Sequence, residues 1–446
     1  MQKIHIKNFG PIIDVEMEIH DAIFLIGPQA SGKSTISKLI YLFRMLHAEF
    51  FDLLYDYSEQ KLEVREQHLQ KNNSDDLIYD FAVRIIKKFK KYFGEVFLTR
   101  NASICYYFSY NSGVEPSLVV EHTNELIDIN FSNRFSTELH KIIGFVDIHI
   151  DSISVPEQFN LHPESENGEK FWRPVKKKIN NIFLGGSELL FFPAGRLSFI
   201  NGDPYHFRHR FFHNGIDQSF LERRSQASKR LGAGLATARK EKERFSKDDV
   251  LSEYLEMVEK LIAQKILHGE YRLQGDIEKL IINDQQQVDL YFASSGQQES
   301  LWIVQLLYLA ILDKQPVAMF FEEPEAHLFP EAQKHVVEMM ALFLSAVPGN
   351  QIMVTTHSPY ILAAANNLLF AHTVGQKKPE GAAKIVDPKL WLDPKRVAAY
   401  FVENGGIRSI MDDELKMIRA EEIDSVSRVI NADYDQLLTL DLETTA

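Results

Sequence analysis

The residues whose chemistry is most evident form a glycine-rich segment that directly follows an apolar run, residues 23–26. The pattern is G-x-x-x-x-G-K-S, and an amphipathic stretch follows it. In such a P-loop the backbone N–H groups surround phosphate oxygens, and the helix that begins there adds the positive end of its dipole. Lys33 would reach the β- and γ-phosphates, and Ser34 would offer its hydroxyl to Mg²⁺. The segment therefore predicts that ATP and Mg²⁺ bind here, through Gly27, Pro28, Gln29, Ala30, Ser31, Gly32, Lys33, Ser34 and Thr35.

Two carboxylates and a histidine follow two further apolar runs. The run 317–321 ends at Glu322 and Glu323, and the run 352–355 is followed closely by His357. Because α/β folds bind ligands at the carboxyl ends of parallel strands, we expect these side chains beside the P-loop. Glu322 would hold Mg²⁺ directly or through water, Glu323 would orient or deprotonate the attacking water, and His357 would hydrogen-bond to the γ-phosphate. With the P-loop lysine these groups suffice for phosphoryl transfer, which depends mostly on positioning and charge stabilisation.

A third segment, 294–299, reads Ser-Ser-Gly-Gln-Gln-Glu and precedes an apolar helix, 301–312. Ser295 and Gly296 stand at the start of that helix, where unpaired backbone N–H groups favour an anion. This segment is therefore a second candidate for contact with a phosphate.

The elements that position these groups can be predicted from hydrophobic periodicity. Residues 3–9 and 15–19 alternate as strands do, and they precede the P-loop strand. Residues 189–192 are another candidate for a buried strand, which ends at the Pro-Ala-Gly-Arg sequence 193–196. Apolar strands that alternate with amphipathic helices predict an α/β fold.

Composition excludes several classes of protein. The chain has 446 residues, of which 45% are hydrophobic, so it can form a full core in two or three domains. Its net charge of −13 argues against a generally cationic coat for nucleic acid. Cys105 is the only cysteine, which excludes an intrachain disulfide and a cysteine-rich zinc site. No apolar run has the length of a membrane helix and no signal pattern opens the chain, so we expect a cytoplasmic protein without membrane contact.

One region, 208–247, is rich in Lys and Arg and poor in acids. It could be a solvent-facing helical hairpin or a surface for a polyanion such as DNA, and the sequence leaves both open. His206, His209 and His213 have loose metal-like spacing, but without cysteine or carboxylate neighbours they are better explained as surface or packing residues.

The order of these motifs resembles that of an ABC-type ATPase head. The motifs are the P-loop, S-S-G-Q-Q at 294–298, F-F-E-E-P-E-A-H-L at 320–328 and T-T-H-S-P at 355–359. The resemblance is to the RecF/SMC-like branch, which includes the OLD family and phage-defence ATPases such as those of the Septu, Gabija and PARIS systems. It implies a P-loop head with a mixed parallel sheet, flanking helices, N-terminal antiparallel strands and a helical insertion or arm.

The resemblance also implies a mode of assembly. In such heads the signature loop, here Ser295, Gly296 and Gln297, contacts the γ-phosphate of ATP held by the opposite subunit, so a homodimer or higher oligomer is implied. Gln297 departs from the usual glycine, and Glu322 stands where the family more often has aspartate. His357 matches the switch histidine.

We expect six segments along the chain. They are an N-terminal head lobe with the Walker A motif (1–50), a helical and strand insertion (51–180), a head strand (181–202), a basic helical arm (203–268), a C-terminal head lobe with signature, Walker B and switch histidine (269–375), and a helical tail (376–446). Two strands are expected near 368–374 and 383–386. The acids Asp433 and Asp435 lie in a helix-like stretch without the strand of a TOPRIM nuclease site, so they are expected at the surface.

Three functions compete on this basis. The first is a bacterial anti-phage ATPase that regulates a separate effector. The second is a RecF-like repair or recombination ATPase that binds DNA through 208–247. The third, a transporter ATPase subunit, fits least because the Glu-Glu-Pro-Glu motif and the large insertions are atypical of it.

Overall fold

The computed structural model describes residues 2–67, 74–94, 98–108, 117–123, 126–153, 160–197, 215–245, 248–419 and 431–437. The strands are β1 (Gln2–Phe9), β2 (Ile12–Ile19), β3 (Ala22–Ile26), β4 (Leu98–Tyr107), β5 (Ser117–Thr123), β6 (Leu126–Phe131), β7 (Glu188–Phe192), β8 (Glu270–Gln274), β9 (Ile277–Asn283), β10 (Gln286–Asp289), β11 (Val317–Glu322), β12 (Gln351–Thr356), β13 (Val397–Glu403), β14 (Gly406–Ser409), β15 (Met411–Asp412) and β16 (Met417–Ile418). The helices are α1 (Lys33–Gln67), α2 (Ser74–Phe93), α3 (Asn133–Asp151), α4 (Glu166–Phe183), α5 (Gly215–Arg230), α6 (Leu235–Phe245), α7 (Asp249–Leu261), α8 (Ser295–Asp313), α9 (Pro330–Ala346), α10 (Pro359–Gly375) and α11 (Pro379–Ala383).

A six-stranded sheet forms the centre of the molecule, in the order β14-β13-β3-β12-β11-β7. All neighbouring pairs are parallel except β13 and β14. Its strands bury alternate residues in two apolar cores, one on each face: Phe24 belongs to one core, and Ile23 and Leu25 belong to the other. Burial on both faces explains why these strands read as continuous apolar runs. The predicted α/β fold with a mixed, mainly parallel sheet is confirmed.

A second sheet packs on the α1 side of the molecule. Its order is β2-β1-β4-β5-β6, and all of its pairs are antiparallel. Strands from the expected insertion therefore extend the sheet of the N-terminal strands. The expected boundary at residue 50 is wrong, because α1 runs without a break from Lys33 to Gln67. Its buried residues continue past the boundary through Leu53 and Leu54, so the same apolar face holds both parts.

The basic segment packs against the head. Helices α5 and α6 of its described part, and α7 after it, contribute Phe220, Ala238 and Val258 to the core beside α8 and α9. The helices of the expected arm 203–268 thus lie on the head rather than extending from it. His206, His209 and His213 lie outside the described residues.

The expected helical tail, 376–446, is corrected by the structure. Strand β13 pairs in parallel with the P-loop strand β3, from Val397 opposite Ala22 to Phe401 opposite Ile26. The sequence Val-Ala-Ala-Tyr-Phe-Val is a short apolar run. Its two alanines have low β propensity, so the run is not readily predicted to be a strand. The strands expected near 368–374 and 383–386 are wrong: the first lies within α10, and the second is the end of α11 and a turn. Short apolar runs do not distinguish a buried helix from a strand. Residues 431–437 are helical and exposed, as expected for Asp433 and Asp435.

None of the described helices has the length and apolar composition needed to cross a bilayer.

Candidate functional site

The predicted site residues from three parallel strands meet at one edge of the central sheet. Ile26, the last residue of β3, is opposite Thr356 of β12, and Thr355 is opposite Glu322 of β11. The P-loop, the carboxylates and the switch histidine each follow directly from these strand ends. The parallel register therefore brings together residues that are about 300 positions apart in sequence.

Lys33 lies inside the curled P-loop. Its Nζ donates to the carbonyl oxygens of Gly27 at 2.8 Å and Pro28 at 2.7 Å, and the residue is 5% exposed. Burial lowers the pKa of Lys33 to about 8, while the carboxylates Glu323 and Glu325 oppose this change. The ammonium is thus partly desolvated and held at the place where the loop could receive a phosphate.

Glu322 is buried beside the first turns of α1. Its Oε2 accepts a hydrogen bond from the backbone N–H of Ala194 at 3.3 Å, and its Oε1 faces Lys38 Nζ at 3.3 Å. The Lys38 contact is an ion pair without hydrogen-bond geometry, so among the described residues Oε1 has a charged partner but accepts no hydrogen bond. A buried carboxylate oxygen that accepts no hydrogen bond can hold a cation, which would share this oxygen with Lys38 or displace it, and Mg²⁺ usually takes only one or two protein carboxylates together with phosphate oxygens and water. The exposed hydroxyl-bearing residue Ser34 lies in the first turn of α1, so both predicted ligands are compatible with Mg²⁺.

Glu323 and His357 face each other across the same edge. His357 Nε2 lies 3.5 Å from Glu323 Oε1, and their side chains are 31% and 43% exposed. The backbone of Glu323 is in the left-handed region, with φ of 46°, and its N–H donates to Thr355 O at 2.9 Å. A left-handed backbone at a non-glycine residue costs about 1–3 kcal/mol and persists only where neighbours hold it. In this conformation the Glu323 carboxylate lies beside the His357 ring, and both side chains are partly exposed.

The start of α8 is anchored within its own chain. The hydroxyl of Ser294 accepts from Gln297 N–H at 3.4 Å, and Gln297 Oε1 accepts from Ser294 N–H at 3.0 Å. Gln297 Nε2 also donates to Leu267 O at 2.7 Å. Both ends of the Gln297 amide are therefore engaged in a capping box and a tertiary contact, and the nucleotide contact expected for this residue stays a prediction. Ser295 remains exposed at the first position of the helix.

Gly296 packs closely on the loop that follows the two carboxylates. A β-carbon at Gly296 would lie 2.8 Å from the carbonyl oxygen of His327. The signature segment and the Walker B loop of one chain are thus in van der Waals contact, and only glycine fits between them.

A family model described as AAA ATPase domain matches residues 1–197 and 211–362, which is more than half of the chain. The chain belongs to the AAA ATPase domain family. No curated protein matches it.

Three solved structures are similar to this AAA ATPase in general shape. A structure of the SMC head bound to the C-winged helix domain of ScpA has 12% identity and a TM-score of 0.41, over 92% of this chain and 97% of that one. The SMC head domain from Thermotoga maritima has 12% identity and a TM-score of 0.36, over 92% and 97%. The recombination mediator protein RecF-ATPrS has 11% identity and a TM-score of 0.33, over 92% and 97%.

Three residues of the site were missed from the sequence. Glu325 accepts hydrogen bonds from Thr356 Oγ1 at 2.7 Å and from His357 N–H at 2.8 Å, so it holds the switch loop. Asp217 interacts electrostatically with Lys38 and Glu322, and burial raises its pKa to about 6. Arg196, fully buried after β7, contacts the backbone of both Walker B glutamates. Glu325 belongs to the E-E-P-E motif, and this position next to two predicted site residues was a signal in the sequence. Asp217 and Arg196 reach the site only through tertiary contacts, which the sequence does not indicate.

Four arginines, of the eight Lys and Arg residues that the structure describes in the basic segment, form ion pairs within this AAA ATPase. Arg223 pairs with Glu188, Arg224 with Glu278, Arg230 with Asp313, and Arg239 with Glu243, Glu256 and Glu259. The carboxylates that pair with these arginines neutralise their charge, which explains how so many arginines can lie against the core. These arginines contact acids of the same chain, and this part of the structure does not favour DNA over a structural role.

Proposed function

We propose that this AAA ATPase acts as an ABC-type head in which two copies close around two molecules of ATP. The supporting observation is the arrangement of two separate half-sites on one chain. The P-loop, Glu323 and His357 form one half, while the exposed helix start at Ser295 forms the other. Between described residues no hydrogen bond joins Ser295 or Gly296 to the P-loop of the same chain. A second copy could supply that missing half.

Each residue of the first half then has a defined task. The P-loop amides and Lys33 bind the β- and γ-phosphates, and the ammonium balances charge that develops on the transferred phosphoryl group. Glu323 orients or deprotonates the attacking water, and His357 donates to a γ-phosphate oxygen. Glu325 keeps the histidine in place through its backbone N–H. Ser34 and Glu322 would hold Mg²⁺, which when bound neutralises phosphate charge.

Mixing two inactive variants tests the shared site. Lys33→Ala removes the phosphate cradle and Ser295→Arg blocks the helix start, so each variant alone is expected to be inactive. In a mixed dimer, the cradle of the Ser295→Arg chain meets the intact helix start of the Lys33→Ala chain. Partial recovery of ATP hydrolysis on mixing is therefore expected. A mixture as inactive as its components would contradict a site shared between copies.

The matched control uses a lysine outside the site. Lys334→Ala changes an exposed residue of α9 whose ion pair among the described residues is with Glu338 of the same helix. Lys334→Ala alone should hydrolyse ATP at the full rate. A mixture with Ser295→Arg should hydrolyse ATP no faster than the same amount of Lys334→Ala alone.

We further propose that the ATPase regulates a separate effector in a bacterial anti-phage system. The order of the motifs, which resembles that of phage-defence ATPases, supports this proposal. Affinity purification of Glu323→Gln with ATP should capture the effector, because slow hydrolysis prolongs the closed state. Capture that is equal with Lys33→Ala would contradict a role for ATP in effector binding.

A further inference from the structure

A buried arginine joins the elements that carry both half-sites. Arg196 follows β7 and is fully buried, and its guanidinium donates to three carbonyl oxygens at the end of neighbouring strands. Nη1 lies 2.9 Å from both Pro193 O and Glu322 O, and Nη2 lies 3.1 Å from Glu323 O. One planar group thereby fixes the backbone at two consecutive residues, both of which carry site carboxylates.

The remaining nitrogen of the guanidinium, Nε, faces α8, the helix that begins at Ser295. Arg196 Nε lies 2.9 Å from Glu299 Oε2 and 3.3 Å from Glu299 O. The Glu299 side chain is 2% exposed, and its other oxygen accepts from the backbone N–H of Leu197 at 3.0 Å. Glu299 is one helical turn after Ser295, so the ion pair lies directly behind the exposed start of α8.

Glu323 requires such support because its backbone is in the left-handed region. Its N–H is held by Thr355 O, and its carbonyl oxygen is held by Arg196 and by the N–H of Ala326 at 3.1 Å. If the arginine contact is lost, the peptide after Glu323 can rotate, and the direction of the side chain toward His357 changes with it.

We propose that Arg196 is a positioning residue, which holds Glu323 in its hydrolytic orientation and links that orientation to the signature helix through Glu299. This inference rests on the proposed role of Glu323. Within one chain, a shift of α8 on contact with a partner's nucleotide is transmitted by the Arg196–Glu299 pair to the carboxylate that acts on the chain's own nucleotide.

The geometry favours this role over a general contribution to stability. Buried ion pairs give little net stability because desolvation offsets their attraction. A guanidinium can direct separate N–H groups at Glu299 and at three carbonyls, whereas a lysine ammonium is a single point with no fork. Arg196→Lys is therefore expected to keep the charge but lose the fixed geometry.

The test compares Arg196→Lys and Glu299→Gln with the wild type, measuring the Kd for ATP in the absence of hydrolysis and kcat separately. Both variants should bind ATP with nearly unchanged Kd, because neither side chain touches the P-loop. The kcat of Arg196→Lys should fall about 10- to 100-fold, the loss expected when a catalytic group is displaced by about 1 Å. Glu299→Gln should lower kcat by a smaller factor. The double variant should lose no more than Arg196→Lys alone, because both substitutions break one connection.

Arg239→Lys is the matched control, because Arg239 is also enclosed by carboxylates, Glu243 and Glu259, but outside the site. It should lower the melting temperature without lowering kcat. If Arg196→Lys does not fold by circular dichroism, Glu299→Gln, which preserves side-chain shape, carries the test.

A folded Arg196→Lys with the kcat of the wild type would overturn the positioning role, and so would a loss confined to Kd. Additive losses in the double variant would overturn the link through Glu299. Glu323→Gln is measured in parallel: if it hydrolyses ATP normally, the role of Glu323 itself fails, and this outcome is distinct from failure of the arginine.

Discussion

The carbonyl oxygen of Val402 lies 2.1 Å from the position that a β-carbon on Gly27 would occupy. Gly27 opens the P-loop, and Val402 belongs to β13, far along the chain. The loop therefore takes its shape partly from a strand at the other end of the sequence. Because φ of Gly27 is 152°, a substitution there meets both a steric overlap and an unfavourable backbone conformation.

Gly27→Ala is expected to abolish ATP binding and to cost about 2–4 kcal/mol of stability, through overlap and backbone strain. Isothermal titration calorimetry and urea unfolding measure the two effects. Gly144→Ala is the control, because Gly144 lies inside α3 and no atom of the described residues is within 4 Å of the added carbon. It should keep normal ATP binding and gain about 0.5–1 kcal/mol. Normal ATP affinity in Gly27→Ala would refute the close contact.

Gly296→Ala is expected to separate nucleotide binding from closure of the dimer. The added methyl group would push α8 away from His327 O, while the P-loop is untouched. ATP should bind with normal affinity, but ATP-dependent dimerisation, measured by mass photometry with Glu323→Gln in the background, should be strongly reduced. Gly381→Ala, where the added carbon meets open space, should dimerise normally. Equal dimerisation of the two variants would contradict this expectation.

ATP affinity should fall at alkaline pH because of Lys33. Its pKa is lowered to about 8 by burial, and only the charged ammonium attracts phosphate. Above pH 8 binding must take up a proton, so the Kd should rise by up to about tenfold per pH unit. The stability of the nucleotide-free protein should change in the opposite direction. Between pH 8 and the ordinary pKa of 10.5, the unfolded chain keeps the Lys33 proton while the folded chain loses it, so the free energy of unfolding rises with pH.

Titration calorimetry from about pH 7 to 9.5 measures the effect on binding, with Lys33→Arg as the control. An arginine stays charged throughout, so its Kd should be weaker but flat over this range. A wild-type Kd that is equally flat would show that the proton of Lys33 is retained in the empty loop.

Truncation should reveal the dependence of the P-loop on the C-terminal strand. A chain that ends after Arg419 keeps β13 and its partner β14 and should bind ATP normally. A chain that ends after Arg396 loses β13, which leaves β3 at the edge of the sheet and exposes the core around Ala399. It is expected to lose ATP binding and cooperative unfolding, as seen by calorimetry and circular dichroism. ATP binding by the shorter chain would refute the structural role of β13.

The sequence predicts those parts of the site that contiguous residues encode. A P-loop needs only a strand, a glycine-rich turn and a helix in succession, and Glu322, Glu323 and His357 each end an apolar run. Their meeting at one edge follows from the parallel order of the strands. The α/β fold was predictable for the same reason.

The rest depends on contacts between distant segments. The role of Arg196 is defined by Glu299, Glu322 and Glu323, all more than 100 positions away, and nothing in the local sequence Pro-Ala-Gly-Arg indicates those partners. The pairing of β13 with β3 likewise cannot be read from an alanine-containing run. The arginines of α5 pair with acids that lie on other elements, so their partners cannot be predicted from the local sequence.

Helix α1 begins at Lys33 of the P-loop and continues for 35 residues. At 1.5 Å per residue it is about 52 Å long, so its far end lies well outside the nucleotide site. If the helix moves as one rigid body, a tilt of about 5° at the P-loop displaces its far end by about 4–5 Å. A small movement of the first turn of α1 would therefore become a larger movement where the helix packs against α2, α3 and α4.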